Sequence, residues 1–155
     1  MVTATAARVR EILDAVVDPE IPVLTIADLG ILRDVAVDDD GRVVVTITPT
    51  YSGCPAMDLI REEVERALAA HGYHDVEVRT TFSPPWSTDL MSEEAKEKLR
   101  AYGIAPPRSG DDEPIRCPRC GEPSTRTVAR FGSTACKALM VCERCLEPFD
   151  HFKEL

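Results

Sequence analysis

The sequence predicts an α+β fold in which a small, helix-covered mixed sheet is followed by a compact four-cysteine module. Three observations predict it. Over the first hundred residues, successive segments have apolar residues at the spacing of a helix or of a strand. A proline-rich acidic stretch follows, and two C-x-x-C turns lie near the C-terminus. We therefore predict the order αββαβα over residues 1–103, a linker at 104–114 and the four-cysteine module at 115–155.

The first helix is predicted over residues 5–17, where five apolar residues recur at helical spacing. These are Val9, Ile12, Leu13, Val16 and Val17. We expect the helix to end at Asp18-Pro19, because a residue before proline is disfavoured in the helical conformation. Segments 31–37 and 42–48 then flank an acidic turn that closes on Gly41, the pattern of a β-hairpin.

A second helix and a third strand complete the predicted sheet. The helix follows Pro55, a residue suited to a first helical turn, and ends at His71-Gly72. Residues 76–80 alternate between apolar and polar and are predicted to be a strand. The last helix is expected from Ser92, a good N-cap, to about Tyr102, before Gly103.

Cys54 lies between the end of a predicted strand and the start of a predicted helix. Backbone N–H groups and the helix dipole at such a place favour a thiolate, so we expect a lowered pKa for this cysteine. A nucleophile, a metal ligand and a cluster ligand all fit that expectation, as does a small apolar residue at a helix cap. No histidine or other base is visibly paired with Cys54.

Three acidic residues, Asp18, Glu20 and Asp28, lie in the loop that precedes the predicted hairpin. In one interpretation they cap and end local elements, as Asp commonly does in turns. In the other they converge on Cys54 and hold a metal ion or orient a partner.

The sequences Cys117-Pro-Arg-Cys120 and Cys142-Glu-Arg-Cys145 are typical of a zinc ribbon, in which each turn contributes two thiolates to one tetrahedral ion. A span of about 40 residues cannot build an adequate core, so bound metal would supply folding free energy. Two disulfides and a single rubredoxin-like iron are the alternatives. Cys136 is not needed by one metal, and either burial beside the ribbon or a redox or cluster-ligand role fits it.

Composition excludes several classes of partner. The chain has 27 acidic and 18 basic residues and a net charge of −9, which argues against nucleic acid. No stretch approaches the roughly 20 apolar residues of a membrane span. The N-terminus lacks the basic start and apolar run of a secretory signal. We expect a cytoplasmic protein with neither a membrane nor a nucleic-acid partner.

Longer strings carry a resemblance to known families. Residues 18–22 (Asp-Pro-Glu-Ile-Pro), 28–30 (Asp-Leu-Gly) and 48–55 (Thr-Pro-Thr-Tyr-Ser-Gly-Cys-Pro) resemble the SufT-like iron–sulfur assembly family. The remainder resembles the PaaD family of phenylacetate-degradation proteins, on four strings: residues 83–91, 102–107, 131–139 and 147–153.

The resemblance implies a role beside the multicomponent phenylacetyl-CoA epoxidase, with its di-iron oxygenase and its reductase carrying an iron–sulfur cluster and flavin. It implies a functional role for Cys54, with Asp18, Glu20 and Asp28 in support, in transient binding of an iron–sulfur cluster or iron. The expected protein is an accessory maturation factor rather than a turnover enzyme, and a homodimer would pool two Cys54 thiols. The alternative is a structural or electron-transfer subunit of the oxygenase complex.

Overall fold

The structure, a computed structural model, describes residues 4–155 and divides into two compact units. The first unit ends at Trp86, and the second is Ser87–Leu155. Each unit has its own sheet, of three strands in the first and four in the second. The predicted α+β class with a small mixed sheet and a separate four-cysteine region is confirmed.

The first unit has the predicted element order. Its elements are α1 (Ala6–Leu13), β1 (Leu32–Val37), β2 (Val43–Ile47), α2 (Ala56–Ala70) and β3 (Val76–Thr80). The hairpin strands β1 and β2 pair antiparallel, and β2 pairs parallel with β3. Helix α2 provides the long crossover that a parallel pair requires. The sheet is therefore mixed, with β2 in its centre.

The core of the first unit lies between the central strand and the two helices. Val43, Val45 and Ile47 of β2 are completely buried, because alternate residues of a strand face the same side. Helix α2 packs on α1 and β3 and buries the apolar stripe Ile60, Val64 and Leu68. This packing fixes the end of β2 and the start of α2, the two ends of the loop that carries Cys54.

Helix α1 is shorter than predicted. It ends at Leu13, with Asp14 as its C-cap, four residues before the predicted end at Val17. Val17 instead pairs with Thr25 in an isolated antiparallel bridge, and the N–H of Ile26 donates to the carbonyl of Val16 at 2.9 Å. The loop thus closes on its own backbone, and those hydrogen bonds replace the last helical turn.

The second unit begins with a 3₁₀ turn at Thr88–Leu90 and contains α3 and four strands. These are α3 (Glu93–Tyr102), β4 (Ile104–Ala105), β5 (Thr125–Ala129), β6 (Lys137–Cys142) and β7 (Pro148–Phe152). The strand order is β4-β7-β6-β5, with β4 parallel to β7 and the other pairs antiparallel. As predicted, Ser92 caps α3, and Gly103 ends it with a φ of 96°.

The boundary between the units differs from the predicted one. Helix α3 groups with the second unit, and the predicted linker at 104–114 begins with the buried strand β4. Arg108 is anchored there, since its backbone N–H and its Nε both donate to Glu154 Oε1, at 2.7 and 2.8 Å. A two-residue strand followed by two prolines has no periodic signal, so composition alone indicated a linker. Over residues 4–155, no helix is long and apolar enough to cross a membrane.

Candidate functional site

The four cysteines of the two C-x-x-C turns come together in the second unit. The Sγ atoms of Cys117 and Cys145 are 3.8 Å apart, those of Cys120 and Cys142 are 3.6 Å apart, and all four lie within 4.8 Å of one another. A tetrahedral ion with metal–sulfur bonds of about 2.3 Å places its ligands roughly 3.8 Å apart. A disulfide would need about 2.05 Å. The geometry therefore fits one metal ion held by four thiolates.

Backbone hydrogen bonds hold each pair of cysteines in a tight turn, called a knuckle below. In the first knuckle (residues 117–122) the N–H of Gly121 donates to the Cys117 carbonyl at 2.9 Å. In the second (residues 142–147) the N–H of Leu146 donates to the Cys142 carbonyl at 3.1 Å. The N–H groups of Arg144 and Cys145 also reach Cys142 Sγ, both at 3.4 Å. Such donors stabilise thiolate charge.

The sulfurs in this cluster differ in acidity. Desolvation acts to raise the pKa of Cys142, but the backbone N–H groups of Cys145 and Arg144 help to lower it to about 7. The backbone N–H of Glu147 acts to lower the pKa of Cys145, whereas desolvation and the neighbouring sulfurs raise it to about 12. One sulfur thus ionises easily and another resists. Full ionisation needs a cation, so metal binding releases protons.

Cys54 ends the loop between β2 and α2 in the first unit and is half-buried. Its backbone N–H donates to the carbonyl of Tyr51 at 3.2 Å, and its own carbonyl accepts from Met57 N–H at 3.3 Å. The backbone N–H of Ala56 and the side chains of Thr50 and Tyr51 form hydrogen bonds with the sulfur. The sulfur is therefore surrounded by polar groups of its own loop.

The lowered pKa predicted for Cys54 is wrong. Burial raises the pKa of this thiol, and the nearby charge of Glu20 adds to the effect. The hydrogen bonds from Ala56, Thr50 and Tyr51 lower it, but they do not compensate. The sequence pattern indicated the helix N-terminus correctly but could not indicate the burial of the sulfur. Cys54 is thus a thiol at neutral pH until a cation displaces its proton.

The three predicted acidic residues have different surroundings. Asp18 is buried, and its Oδ1 accepts from the N–H groups of Glu20 and Ile21, both at 2.8 Å. Asp28 Oδ2 accepts from the Thr25 N–H at 3.1 Å, and Thr25 Oγ1 accepts from the Asp28 N–H at 3.0 Å. These contacts cap turns. Glu20 is the carboxylate whose charge acts on the Cys54 thiol.

These acidic residues and Cys54 do not assemble a ready metal cluster. Among the described residues, the four cysteines of the knuckles form the one group of three or more Cys, His, Asp or Glu ligands within reach of one ion. A cleft of about 220 Å³ is lined by residues 48–52 of the loop that precedes Cys54, together with Phe82 and Trp86. The Phe82 ring is exposed, and Trp86 Nε1 donates to the Leu29 carbonyl at 2.8 Å.

Two further residues of the second unit bear on its chemistry. Cys136 is buried outside the four-sulfur group, with Sγ 3.0 Å from Thr134 Oγ1. His151, four residues from the end of the printed sequence, is buried in β7. Its Nδ1 lies 3.2 Å from the Ala105 carbonyl and its Nε2 3.4 Å from Glu154 Oε2. A single histidine near a terminus gave no signal of this burial.

Comparison with protein families matches both units. Residues 6–80 match the family described as "Iron-sulfur cluster assembly protein". Residues 105–153 match the family described as "PaaD zinc beta ribbon domain". The first match contains Cys54 and its acidic neighbours, and the second contains all four cysteines of the knuckles.

Relatives of two lengths are similar to this chain. An Escherichia coli K12 protein, named as one of the subunits of 1,2-phenylacetyl-CoA epoxidase, is 44% identical over 161 residues, covering 99% of this chain and 97% of that protein. A Porphyromonas gingivalis protein named "Fe-S protein maturation auxiliary factor" is 46% identical over 88 residues, covering 56% of this chain and 83% of that protein.

A solved structure is similar to part of the chain. It is a crystal structure of a domain of unknown function, DUF59, from Bacillus anthracis, with 34% sequence identity and a TM-score of 0.57. The match covers 61% of this chain and 90% of that one. Little more than half of this chain thus matches most of the P. gingivalis protein and most of the DUF59 domain. The E. coli protein, in contrast, is matched over nearly its whole length.

Proposed function

The chain belongs to the PaaD family, which joins an iron–sulfur assembly domain to a four-cysteine ribbon, and on that premise we propose that it is an accessory maturation factor of phenylacetyl-CoA epoxidase. It assists delivery of an iron–sulfur cluster or iron to the multicomponent oxygenase. The cluster is its cargo, the clients are the oxygenase or its iron–sulfur reductase, and the site of action is the cytoplasm.

The surroundings of Cys54 are the observation that carries this proposal. Cys54 is the only cysteine among residues 1–86. Its sulfur is half-buried against the polar groups of Thr50, Tyr51 and Ala56 and lies near the charge of Glu20. One thiolate with a carboxylate nearby is an incomplete ligand set, which suits cargo that must leave again.

Transfer of the cargo then proceeds by ligand exchange without a change of oxidation state. Cys54 loses its proton when its sulfur binds iron, because the raised pKa keeps the unliganded sulfur protonated. A deprotonated client thiol forms a new iron–sulfur bond, the bond to Cys54 breaks, and Cys54 regains a proton. A second copy of the chain would supply a second Cys54 while the cluster is held.

The four cysteines of the knuckles hold a structural zinc ion in this proposal. The spacing of their sulfurs supports a complete tetrahedral ligand set with no open position for chemistry. The ribbon then acts as the part that docks on the client, while the first unit carries the cargo.

Anaerobic cluster reconstitution tests the proposal, with wild type, Cys54→Ser and the matched control Cys136→Ser prepared together. Metal and sulfide content and the absorption spectrum are measured before and after reconstitution. We expect one zinc per chain in all three proteins and an iron–sulfur chromophore in wild type and Cys136→Ser alone. If Cys54→Ser takes up as much cluster as wild type does, the proposal is contradicted.

A structural or electron-transfer subunit is the second candidate, and the name of the full-length E. coli relative, as part of the epoxidase, favours it. A tetrahedral set of four thiolates accepts iron as well as zinc. Iron in the knuckles that persists in Cys54→Ser and is reversibly reduced would support this alternative.

A further inference from the structure

The two knuckles of the second unit have matching backbones. In each knuckle, the residue after the second cysteine donates its N–H to the carbonyl of the first cysteine. In each, the first cysteine donates its own N–H to the carbonyl of the following glutamate, with Cys117 to Glu122 and Cys142 to Glu147 both at 3.0 Å. The residues at the tips of the two knuckles, Gly121 and Leu146, therefore occupy equivalent positions.

These two positions require a left-handed backbone, and the two knuckles fill them differently. Gly121 has a φ of 76° and Leu146 a φ of 63°. Glycine adopts this conformation without strain, whereas a bulky L-residue does so rarely because its Cβ crowds the backbone. Leu146 is the one non-glycine residue with positive φ in the part of the chain that the structure describes.

The Leu146 side chain does not offset this strain by packing inside the protein. It is 73% exposed, more than any other large apolar side chain of the described residues. Both the conformation and the exposure are unfavourable in the isolated chain, and glycine would relieve both. Strain held in this way at a surface position points to a role outside the isolated fold.

We propose that Leu146 is the apolar anchor by which the second unit binds another subunit of the epoxidase, seated in an apolar pocket of that subunit. The inference rests on the proposed function, since it names the contact through which the ribbon docks. Full burial of a leucine side chain is worth a factor of about 10 to 100 in affinity.

The comparisons support this choice of partner. The match to the shorter maturation factor covers 83% of that protein and 56% of this chain. The match to the solved DUF59 domain covers 90% of that domain and 61% of this chain. Little of either remains to form a four-cysteine ribbon. The relative named as part of the epoxidase matches along 99% of this chain, ribbon included. A contact made by the ribbon therefore fits a partner specific to the epoxidase.

The test is the affinity of the full-length, zinc-loaded protein for each of the other epoxidase subunits, purified singly and titrated by calorimetry. We expect wild type to bind at least one subunit, and Leu146→Gly to bind it 10 to 100 times more weakly. Zinc content should be unchanged and the melting temperature should not fall, because glycine suits this backbone. Affinity within threefold of wild type in Leu146→Gly would overturn the proposal.

A swap of the two residues provides a matched control. The double variant Gly121→Leu/Leu146→Gly keeps the composition, charge and metal ligands and moves the strained leucine to the other knuckle, where its Cβ meets nothing within 4 Å. It should bind as weakly as Leu146→Gly, and wild-type affinity in it would overturn the inference. Val128→Thr, at another exposed apolar site of the second unit, should bind within twofold of wild type.

The inference and the proposed function can fail separately. If wild type binds none of the subunits, the anchor is overturned, whereas cluster uptake by wild type and Cys54→Ser still decides the function of Cys54. If Cys54→Ser takes up cluster normally while Leu146→Gly loses binding, the anchor stands and the maturation role does not.

Discussion

The two units differ in how many metal ligands surround their cysteine sulfurs. The comparison is between Cys54 in the first unit and the four clustered cysteines of the second. The knuckles bring four Sγ atoms within 4.8 Å of one another and supply backbone N–H donors to them. Cys54 has polar neighbours and a nearby carboxylate but no second thiol in its unit. A complete set retains an ion and an incomplete set can release one, and the proposed structural and transfer roles of the two kinds of site rest on this difference.

The cores of the two units show a related difference. The first unit buries an extended apolar core that includes β2 and the inner face of α2. A core cluster of the second unit consists of Ala105, Cys117, Met140, Cys142 and Phe149, so two of the metal ligands are themselves core residues. An ion held by the four cysteines would therefore be part of the packing in the second unit.

Removal of the metal should therefore have the largest effect, and it should unfold the second unit while the first unit stays folded. Chelation, or Cys142→Ser, is expected to unfold the second unit, because structural zinc contributes on the order of 10 kcal/mol to folding. Limited proteolysis with mass spectrometry should then find new cleavage sites after residue 87 only. Cys136→Ser is the control and should keep one zinc per chain. A metal-free second unit that still resists protease would contradict the comparison.

The pH dependence of His151 should have the next largest effect, confined to the second unit. Burial lowers the pKa of His151 in the folded state, so below the ordinary value of about 6.5 the unfolded chain takes up the proton first. Stability should be independent of this residue above pH 6.5 and should fall below it, by at most about 1.4 kcal/mol at pH 5.5.

Urea unfolding with saturating zinc between pH 7.5 and 5.5 measures this dependence, with His151→Gln for comparison. Glutamine can still donate to the Ala105 carbonyl but does not titrate. As the pH falls, the unfolding free energy of wild type should decrease relative to that of His151→Gln. Parallel curves would show that His151 does not contribute.

The smallest expected effect concerns the charge beside Cys54 and would sharpen the contrast between the two kinds of sulfur. Glu20 raises the pKa of Cys54, so Glu20→Gln should lower it and speed alkylation by iodoacetamide at pH 7.5 about two- to threefold. Peptide mapping follows the rate at Cys54, and Glu65→Gln, an exposed change on α2, is the control. An unchanged or slower rate in Glu20→Gln would contradict the role of this carboxylate.

Much of the first unit and helix α3 of the second unit could be predicted because their signals are local. Strand β3 has the predicted bounds, and α3 begins after Ser92 and ends before Gly103 as predicted. The element order follows from apolar spacing, which directly reflects which face of an element is buried. The end of α1 could not be predicted, because the bridge between Val17 and Thr25 depends on how the loop closes.

By itself, the sequence determined the element types of the first unit and of α3, the mixed α+β class and the identity of the four clustered cysteines, since each depends on residues close together in the chain. Only the tertiary structure decided that β4 pairs with β7, that His151 is buried, that burial raises the pKa of Cys54 and that Leu146 is both strained and exposed. These properties depend on desolvation and backbone geometry imposed by distant segments, which spacing along the chain does not encode.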